Sequence, residues 1–358
     1  MTLAVNIAQS GSNNVTFRNR IINGAMVIDQ RSAGAAVTAI NVYTLDRWKL
    51  QGTQSSKINV QQNAGSVTPP AGFVNYLGGT SQSAFSVAAT DYFRIFQPIE
   101  GYNTADLGWG TANAQTVTLS FWVRSSLTGT HGGSFSNNDN NRFYVYSYTI
   151  SSANTWEYKT ITVAGDTSGT WSTTTSLSIQ LGFNYGTGTT YSGTAGSWGS
   201  TTLLAPTGAV SVVGTSGATF YITGVQLEAG TTASPFEYRQ YGTELALCQR
   251  YYEKSYAQGT VPGTTTDVGR ILLAFGATST AYIGGFISYK VTKRAAVTPT
   301  VYAPSNGSSG NINAYNFGVA TNVVAPTIDN PMDNGFGFYF TGTTANGWGV
   351  HYAVSAEL

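Results

Sequence analysis

Short runs of alternating apolar and polar residues recur from Gly24 to Leu227. They include Trp48-Lys-Leu-Gln, Lys57-Ile-Asn-Val, Phe93-Arg-Ile-Phe, Val117-Thr-Leu-Ser-Phe-Trp-Val-Arg, Arg142-Phe-Tyr-Val-Tyr-Ser-Tyr, Tyr158-Lys-Thr-Ile-Thr-Val, Leu177-Ser-Ile-Gln-Leu and Phe220-Tyr-Ile-Thr. Clusters of Gly, Asn, Ser and Thr separate them. A period of two at this density predicts antiparallel strands in a sandwich, with a jelly roll as its natural form. On this alternation Trp48, Trp122 and Trp156 are expected in the core.

One segment reads as helix. Thr243 can cap Glu244 to Lys254, with Glu244 near the positive end of the dipole and Arg250 and Lys254 near the negative end. Leu245, Cys248 and Tyr252 then share a face, which makes Cys248 a small buried hydrophobe. Strand-like runs return afterwards at 270–275, 281–289, 335–340 and 350–357, separated by glycine- and asparagine-rich loops such as 304–311. The expected architecture is all-β: a jelly-roll sandwich, one short linking helix, and a smaller C-terminal β-sandwich.

Two phrases carry a resemblance. One is Phe220-Tyr-Ile-Thr-Gly-Val-Gln-Leu-Glu-Ala-Gly230, followed by Pro235-Phe-Glu-Tyr-Arg and Gly242-Thr-Glu-Leu-Ala-Leu-Cys-Gln-Arg-Tyr-Tyr252. The other is Asn19-Arg-Ile-Ile-Asn-Gly-Ala-Met-Val-Ile-Asp-Gln-Arg31 with Tyr43-Thr-Leu-Asp-Arg-Trp48. Together they resemble the β-sandwich segment of tailed-bacteriophage tail-fibre and receptor-binding proteins, a sandwich similar to jelly-roll carbohydrate-binding modules. The resemblance brackets roughly residues 19 to 254 and continues weakly beyond, through the phrase at 289–301. It implies an arm over 1–23 for virion attachment or trimerisation, a carbohydrate-binding-like domain over 24–235, a linking strand and helix over 236–256, and a C-terminal β domain over 257–358 that serves as a receptor-binding tip.

Composition narrows the classes. Charged residues make up 9% of the chain, against about 25% in an average domain, while 42 of 358 residues are Gly and 13% are aromatic. Few charges with many aromatics exclude disorder. A net charge of +1 supplies no basic stripe for nucleic acid, and no run reaches the length of a membrane span. One cysteine, Cys248, rules out an intrachain disulfide framework, and the start Met1-Thr-Leu-Ala-Val does not read as a secretory signal.

Catalytic chemistry is thinly represented. The chain has two histidines, His131 and His351, and sixteen acidic residues. Asp91, Glu100 and Asp106 cluster around an aromatic stretch and are the residues from which a polysaccharide-cleaving enzyme would draw an acidic pair, the alternative being surface or turn charges. No nucleophile elbow, zinc motif or phosphate loop occurs. Jelly-roll carbohydrate modules often carry a structural calcium, but Asn137–Asn141 reads as an exposed turn, and neither a metal nor a cofactor is expected.

Aromatic residues in loops are the better candidates, because sugar rings stack their axial C–H faces on Trp and Tyr. Trp109, Tyr185, Tyr191 and Trp198 are expected to face a ligand in the first domain, Tyr315 and Trp348 in the second. The expected protein is a non-enzymatic homotrimer in the virion, made in the host cytoplasm. Its expected partners are another tail protein, through the N-terminal arm, and a host-surface glycan. A polysaccharide-degrading tailspike and a decoration or adaptor protein are the alternatives.

Overall fold

The structure, a computed structural model, describes residues 17–279, 283–316, 319–341 and 345–358. Most of the expected arm, residues 1–16, therefore lies outside the described residues, as do 281–282 of the run at 281–289.

Two antiparallel sheets face each other. The larger runs, in spatial order, Val42–Leu45 (β1), Trp48–Gly52 (β2), Tyr92–Glu100 (β5), Leu177–Thr187 (β10), Gly129–Asn137 (β7), Phe143–Ile150 (β8) and Trp198–Gly199 (β12). The smaller runs Ile58–Gln62 (β3), Leu77–Ser81 (β4), Thr219–Ala229 (β14), Val117–Ser125 (β6) and Glu157–Val163 (β9). Ser192–Gly193 (β11) and Ala205–Pro206 (β13) form a small parallel pair. This is the expected jelly-roll sandwich. Strand alternation builds its core: Val117, Leu119, Phe121 and Val123 point in from β6 and meet Phe183 of β10, whose ring stands edge-on to Phe121 at 5.0 Å. Deleting one such ring costs about 3–5 kcal/mol.

Residues 19–28 form a strap that extends the smaller sheet where β4 ends. Arg20 N donates to Leu227 O and Val225 N to Gly24 O. Side-chain amides complete the strap: Asn19 Oδ1 accepts from Leu227 N, Asn23 Nδ2 donates to Ile28 O, and Gln97 brackets Ile22 through both its amide groups. Ile21 and Met26 are fully buried. Residues 19–23, expected in the arm, thus pack with the sandwich, because the strap bonds to β14 and Ile21 enters its core, while Ile22 packs beside the helix with Cys248 and Tyr251.

The helix is displaced from its expected span. It covers Tyr241–Gln249 (α1) and starts after Gln240, whose side chain makes no capping bond, with Thr243 inside it. Tyr252–Lys254 (β15) leaves the helix because it pairs with the long strand Ala345–Ser355 (β23), so a ladder overrides local propensity. Cys248 is buried, as expected.

The second domain is a smaller pair of sheets. Strand β23 is the hub of one sheet: β15, Ile271–Ser279 (β16), Thr300–Tyr302 (β18) and Ile312–Asn316 (β19) all pair with it. Val319–Val324 (β20) pairs with β19. The other sheet is Ile283–Ser288 (β17), Gly335–Phe340 (β22) and Thr327–Asp329 (β21). Ions join the domains. Glu357 takes Arg31 and Arg47, and Glu100 takes Arg250 in a two-bond fork together with the Tyr251 hydroxyl.

Both histidines are buried, and burial holds both imidazoles below their ordinary value of 6.5. Below about pH 6.5 the unfolded chain therefore binds more protons than the folded one, so stability is complete above that pH and falls as the pH drops through it. Urea midpoints compared at about pH 7.5 and about pH 5.5 should show this loss. His131→Phe, which keeps the stacking with Tyr148 and Phe220, should reduce the difference.

Candidate functional site

On β6 the side chains between the core residues must point outward, and on β9 the same holds for Tyr158. The register sets Trp122 directly opposite Tyr158, and their rings lie 5.4 Å apart on the outer face of the smaller sheet. A wall rises beside them from residues 71–74 and 233–238. Phe73, Phe236 and Tyr238 form a triad with centroids 5.0 to 5.5 Å apart. Gly224 makes room for it: φ there is +60°, and a Cβ would stand 2.6 Å from Phe73 Cζ.

The wall is pinned by two side chains of β14. Gln226 Oε1 accepts from Glu237 N at 2.8 Å, and Glu228 accepts from Ser234 N at 2.8 Å and from its hydroxyl at 2.5 Å. Glu237 in turn receives Phe17 N and Asn19 N. The phrase around Pro235 thus shapes a surface while anchoring the strap.

The result is an open groove of about 760 Å³, lined chiefly by Phe73, Trp122, Tyr158, Phe236 and Tyr238, with the Ser120 and Ser234 hydroxyls beside them. Tyr158 is 44% exposed and Tyr238 60%. No Asp, Glu or His lines it. A polar pocket of about 570 Å³ adjoins at Ala233–Pro235, where Arg18 pairs with Glu228 at 3.3 Å and Arg20 with Asp106 at 2.6 Å. Rings with a few hydroxyls and paired ions suit an uncharged ring with an apolar face.

The residues expected to face a ligand lie elsewhere. Trp109 is 6% exposed and stands edge-on to Trp171 at 4.8 Å and to Trp198 at 5.3 Å, a cluster closing one end of the sandwich. Each indole N–H donates to a backbone carbonyl, of Gln115, Ser168 and Ala164 respectively. Tyr185 lies within β10 rather than in a loop and is fully buried. Tyr191 is half-buried, edge-on to Tyr92 at 5.4 Å. Tyr315 is buried, its hydroxyl accepting from Arg270, and Trp348 is buried against Phe338 at 4.6 Å. Conversely Trp122 and Trp156, expected in the core, are only half-buried. Trp122 was legible as outward, since Val117, Leu119, Phe121 and Val123 occupy the opposite face.

Asp91 and Glu100 do not converge, and Asp106 is exposed and paired with Arg20. Asp91 accepts from Ala88 N and the Thr53 hydroxyl just before β5, while Glu100 ends that strand in the grip of Arg250. At about 3.3 Å per residue the two lie roughly 30 Å apart, whereas paired carboxylates of glycoside hydrolases stand about 5–10 Å apart. Among the described residues there is no group of three His, Cys, Asp or Glu that could hold a metal ion. Residues 138–141 are exposed at the turn after β7. No described helix is long and apolar enough to cross a membrane.

No protein-family model matches the chain, and no curated protein does. Several solved structures are similar in part. The enzymatically active domain of bacteriophage CBA120 tailspike protein 4 shares 12% identity at a TM-score of 0.34, over 60% of this chain and only 22% of that one. TmCBM61, solved in complex with β-1,4-galactotriose, shares 11% identity at 0.31, over 60% of this chain and 99% of that one. The family 11 carbohydrate-binding module of the Clostridium thermocellum cellulase Lic26A-Cel5E shares 13% identity at 0.29, over 57% and 100% respectively. At such identities and scores these likenesses fix neither a ligand nor an activity.

Proposed function

We propose that the protein binds a saccharide without cleaving it and attaches a tailed-phage particle to a host-surface glycan. The aromatic groove between Trp122, Tyr158 and the Phe73–Phe236–Tyr238 triad carries this reading, since it combines exposed ring faces with hydroxyls and lacks any carboxylate. Sugar C–H faces stack on such rings, and neighbouring hydroxyls take the polar edge. The phage setting is supported by the phrases at 19–31 and 220–252. On this reading the chain is a tail fibre or fibre tip of the virion, assembled as a trimer whose three grooves compensate for weak single-site affinity. Residues before the strap dock onto another tail protein.

Four outcomes follow. Trp122→Ala and Tyr158→Ala should each weaken binding to host polysaccharide, measured by calorimetry, by tenfold or more, a loss of about 1.4 kcal/mol; unchanged affinity in both would remove the groove from the function. Incubation with the same polysaccharide should release no new reducing ends, and release would favour the tailspike reading. Gly224→Ala should displace Phe73 and lower the urea midpoint, at a cost of about 1–3 kcal/mol for the strained contact. Light scattering should report three times the 37.8 kDa chain mass, and a monomer would refute the trimer.

A further inference from the structure

The second domain holds a pocket whose chemistry differs from that of the groove. It opens between the loop before β16, the chain leaving β18, and residues of β19 and β20, and has a volume of about 320 Å³. Thr265, Thr266, Asp267, Arg270, Ser305 and Tyr315 line it. Each of these side chains ends in a hydroxyl, a carboxylate or a guanidinium. Thr265, Asp267 and Ser305 are exposed, so the pocket is open to solvent, while Tyr315 is only 3% exposed.

Bonds between distant parts of the chain fix the walls. Thr266 N donates to Pro304 O, and Val268 N donates to the Thr266 hydroxyl at 3.0 Å. His351 Nε2 lies 3.0 Å from Thr266 O; a carbonyl can only accept, so Nε2 carries the proton and Nδ1 accepts from the Ser255 hydroxyl at 2.9 Å. Asn313 holds Ser305 twice, its Oδ1 accepting from Ser305 N at 2.9 Å and its Nδ2 donating to the hydroxyl oxygen at 2.8 Å. The Ser305 hydroxyl thus keeps its own proton to donate. Walls set in this way reduce the ordering cost of binding.

One ion pair stands within these walls. Arg270 Nη1 donates to Asp267 Oδ1 and, at 2.8 Å, to the Tyr315 hydroxyl, and the guanidinium lies 5.1 Å from the centre of the Tyr315 ring. Among the described residues, Arg270 Nε and Nη2 and Asp267 Oδ2 make no further bond. The Asp267 side chain is 67% exposed and that of Arg270 22%. An exposed pair of this kind adds little to stability, so folding does not account for a free carboxylate oxygen beside a free guanidinium edge in a hydroxyl-lined pocket. The two charges cancel, and among the described residues no other acid or base except the Tyr315 phenol lines the space. Neither a cation nor an anion is called for. A group that donates at one point and accepts at the next is, and a vicinal diol does both.

We propose that this pocket receives one neutral sugar unit by its edge, with one hydroxyl of a vicinal diol donating to Asp267 Oδ2, its neighbour accepting from the free edge of Arg270, and Thr265 and Ser305 meeting the adjoining hydroxyls. Hydrogen bonds with an ionised partner are about twice as strong as neutral ones, so the pair can hold a diol against water. The volume lies at the lower end of the roughly 300–1,000 Å³ found for small-molecule pockets, which suits a single unit. Because the Tyr315 ring is buried, recognition here runs through hydroxyls rather than through stacking. The inference rests on the proposed function only for the saccharide nature of the ligand, and the pocket stands or falls separately from the groove.

The test uses the whole chain carrying Trp122→Ala, which disables the groove, and ligand-observed NMR titration with the methyl glycosides of glucose, galactose, mannose and rhamnose, their fully O-methylated counterparts, and methyl glucuronide. At least one free glycoside should bind this variant, and O-methylation should abolish its binding. Adding Asp267→Asn should weaken binding about tenfold, as loss of a charged acceptor does, and Arg270→Lys, which keeps the charge but not the planar edge, should retain part of the affinity. The Asp267 side chain bonds only to Arg270, so the Asn variant should keep the urea midpoint of its background, which separates lost binding from misfolding. No binding of any free glycoside at tens of millimolar, equal binding after Asp267→Asn, or tighter binding of methyl glucuronide than of the neutral glycosides would overturn the site. Binding by the parent chain that disappears with Trp122→Ala alone would overturn this pocket and leave the groove standing, whereas binding untouched by Trp122→Ala and lost with Asp267→Asn would support the pocket and remove the groove.

Discussion

Buried main-chain donors that no strand can reach are the constraint on which this protein's organisation depends, and carboxylates share with side-chain amides the work of meeting them. Glu237 receives Phe17 N and Asn19 N, Glu244 receives Asn23 N, Asp46 receives Gln30 N, Glu228 receives Ser234 N, and Glu253 receives Lys290 N and Val291 N. Each such charge-assisted bond contributes about 1.5–3 kcal/mol, and losing the acceptor would strand a buried N–H. The strap, the groove wall and the domain junction therefore hang on the same device. Burial raises Glu244 and Asp46 above the usual carboxylate range, the desolvation these acceptors carry for being inside.

That device ties up many of the sixteen acidic residues: even Glu237 and Glu244, which stand close together, share Arg239 between them. Glu100 and Glu357 are committed to arginines across the junction, and Glu253 to Lys293, both members of that pair being fully buried. Arg47 and Arg31 also stack on Tyr251 and Tyr252 at 3.5 and 3.7 Å, so aromatic faces share the burial of the guanidinium groups. Charge in this protein is mostly architecture.

The exceptions are the two outer faces of the sandwich. One presents rings with no ions among them, between β6, β9 and the pinned wall. The other carries Arg94, which donates to Gln51 and Gln180, and Lys49, with no carboxylate paired to either among the described residues. The ring face rests on strands whose inner sides are locked by the aromatic core, so its side chains are held in place before a ligand of the proposed kind arrives, which reduces the ordering cost of binding. Of the second domain's expected aromatics, Trp348 fills the interior, while Tyr315 packs against Arg270 beside a polar pocket of about 320 Å³.

Period-two alternation was enough to establish the strands, the sandwich class and the helix as the one break between domains, because pleat geometry writes itself directly into local sequence. The outward position of Trp122, expected in the core, is contained in the same alternation, since Val117, Leu119, Phe121 and Val123 occupy the inner face. The sequence could not say where the helix ends, since β15 is drawn off by a strand about a hundred residues later. Nor could it tell that Trp109 and Trp198 are packed together at one end while Phe236 and Tyr238 line a groove. An aromatic residue in a loop is equally at home in either place, and only the elements folded over it decide. The pocket around Asp267 and Arg270 is of the same kind: its walls come from separate stretches of the chain, all of which must be in position before it exists.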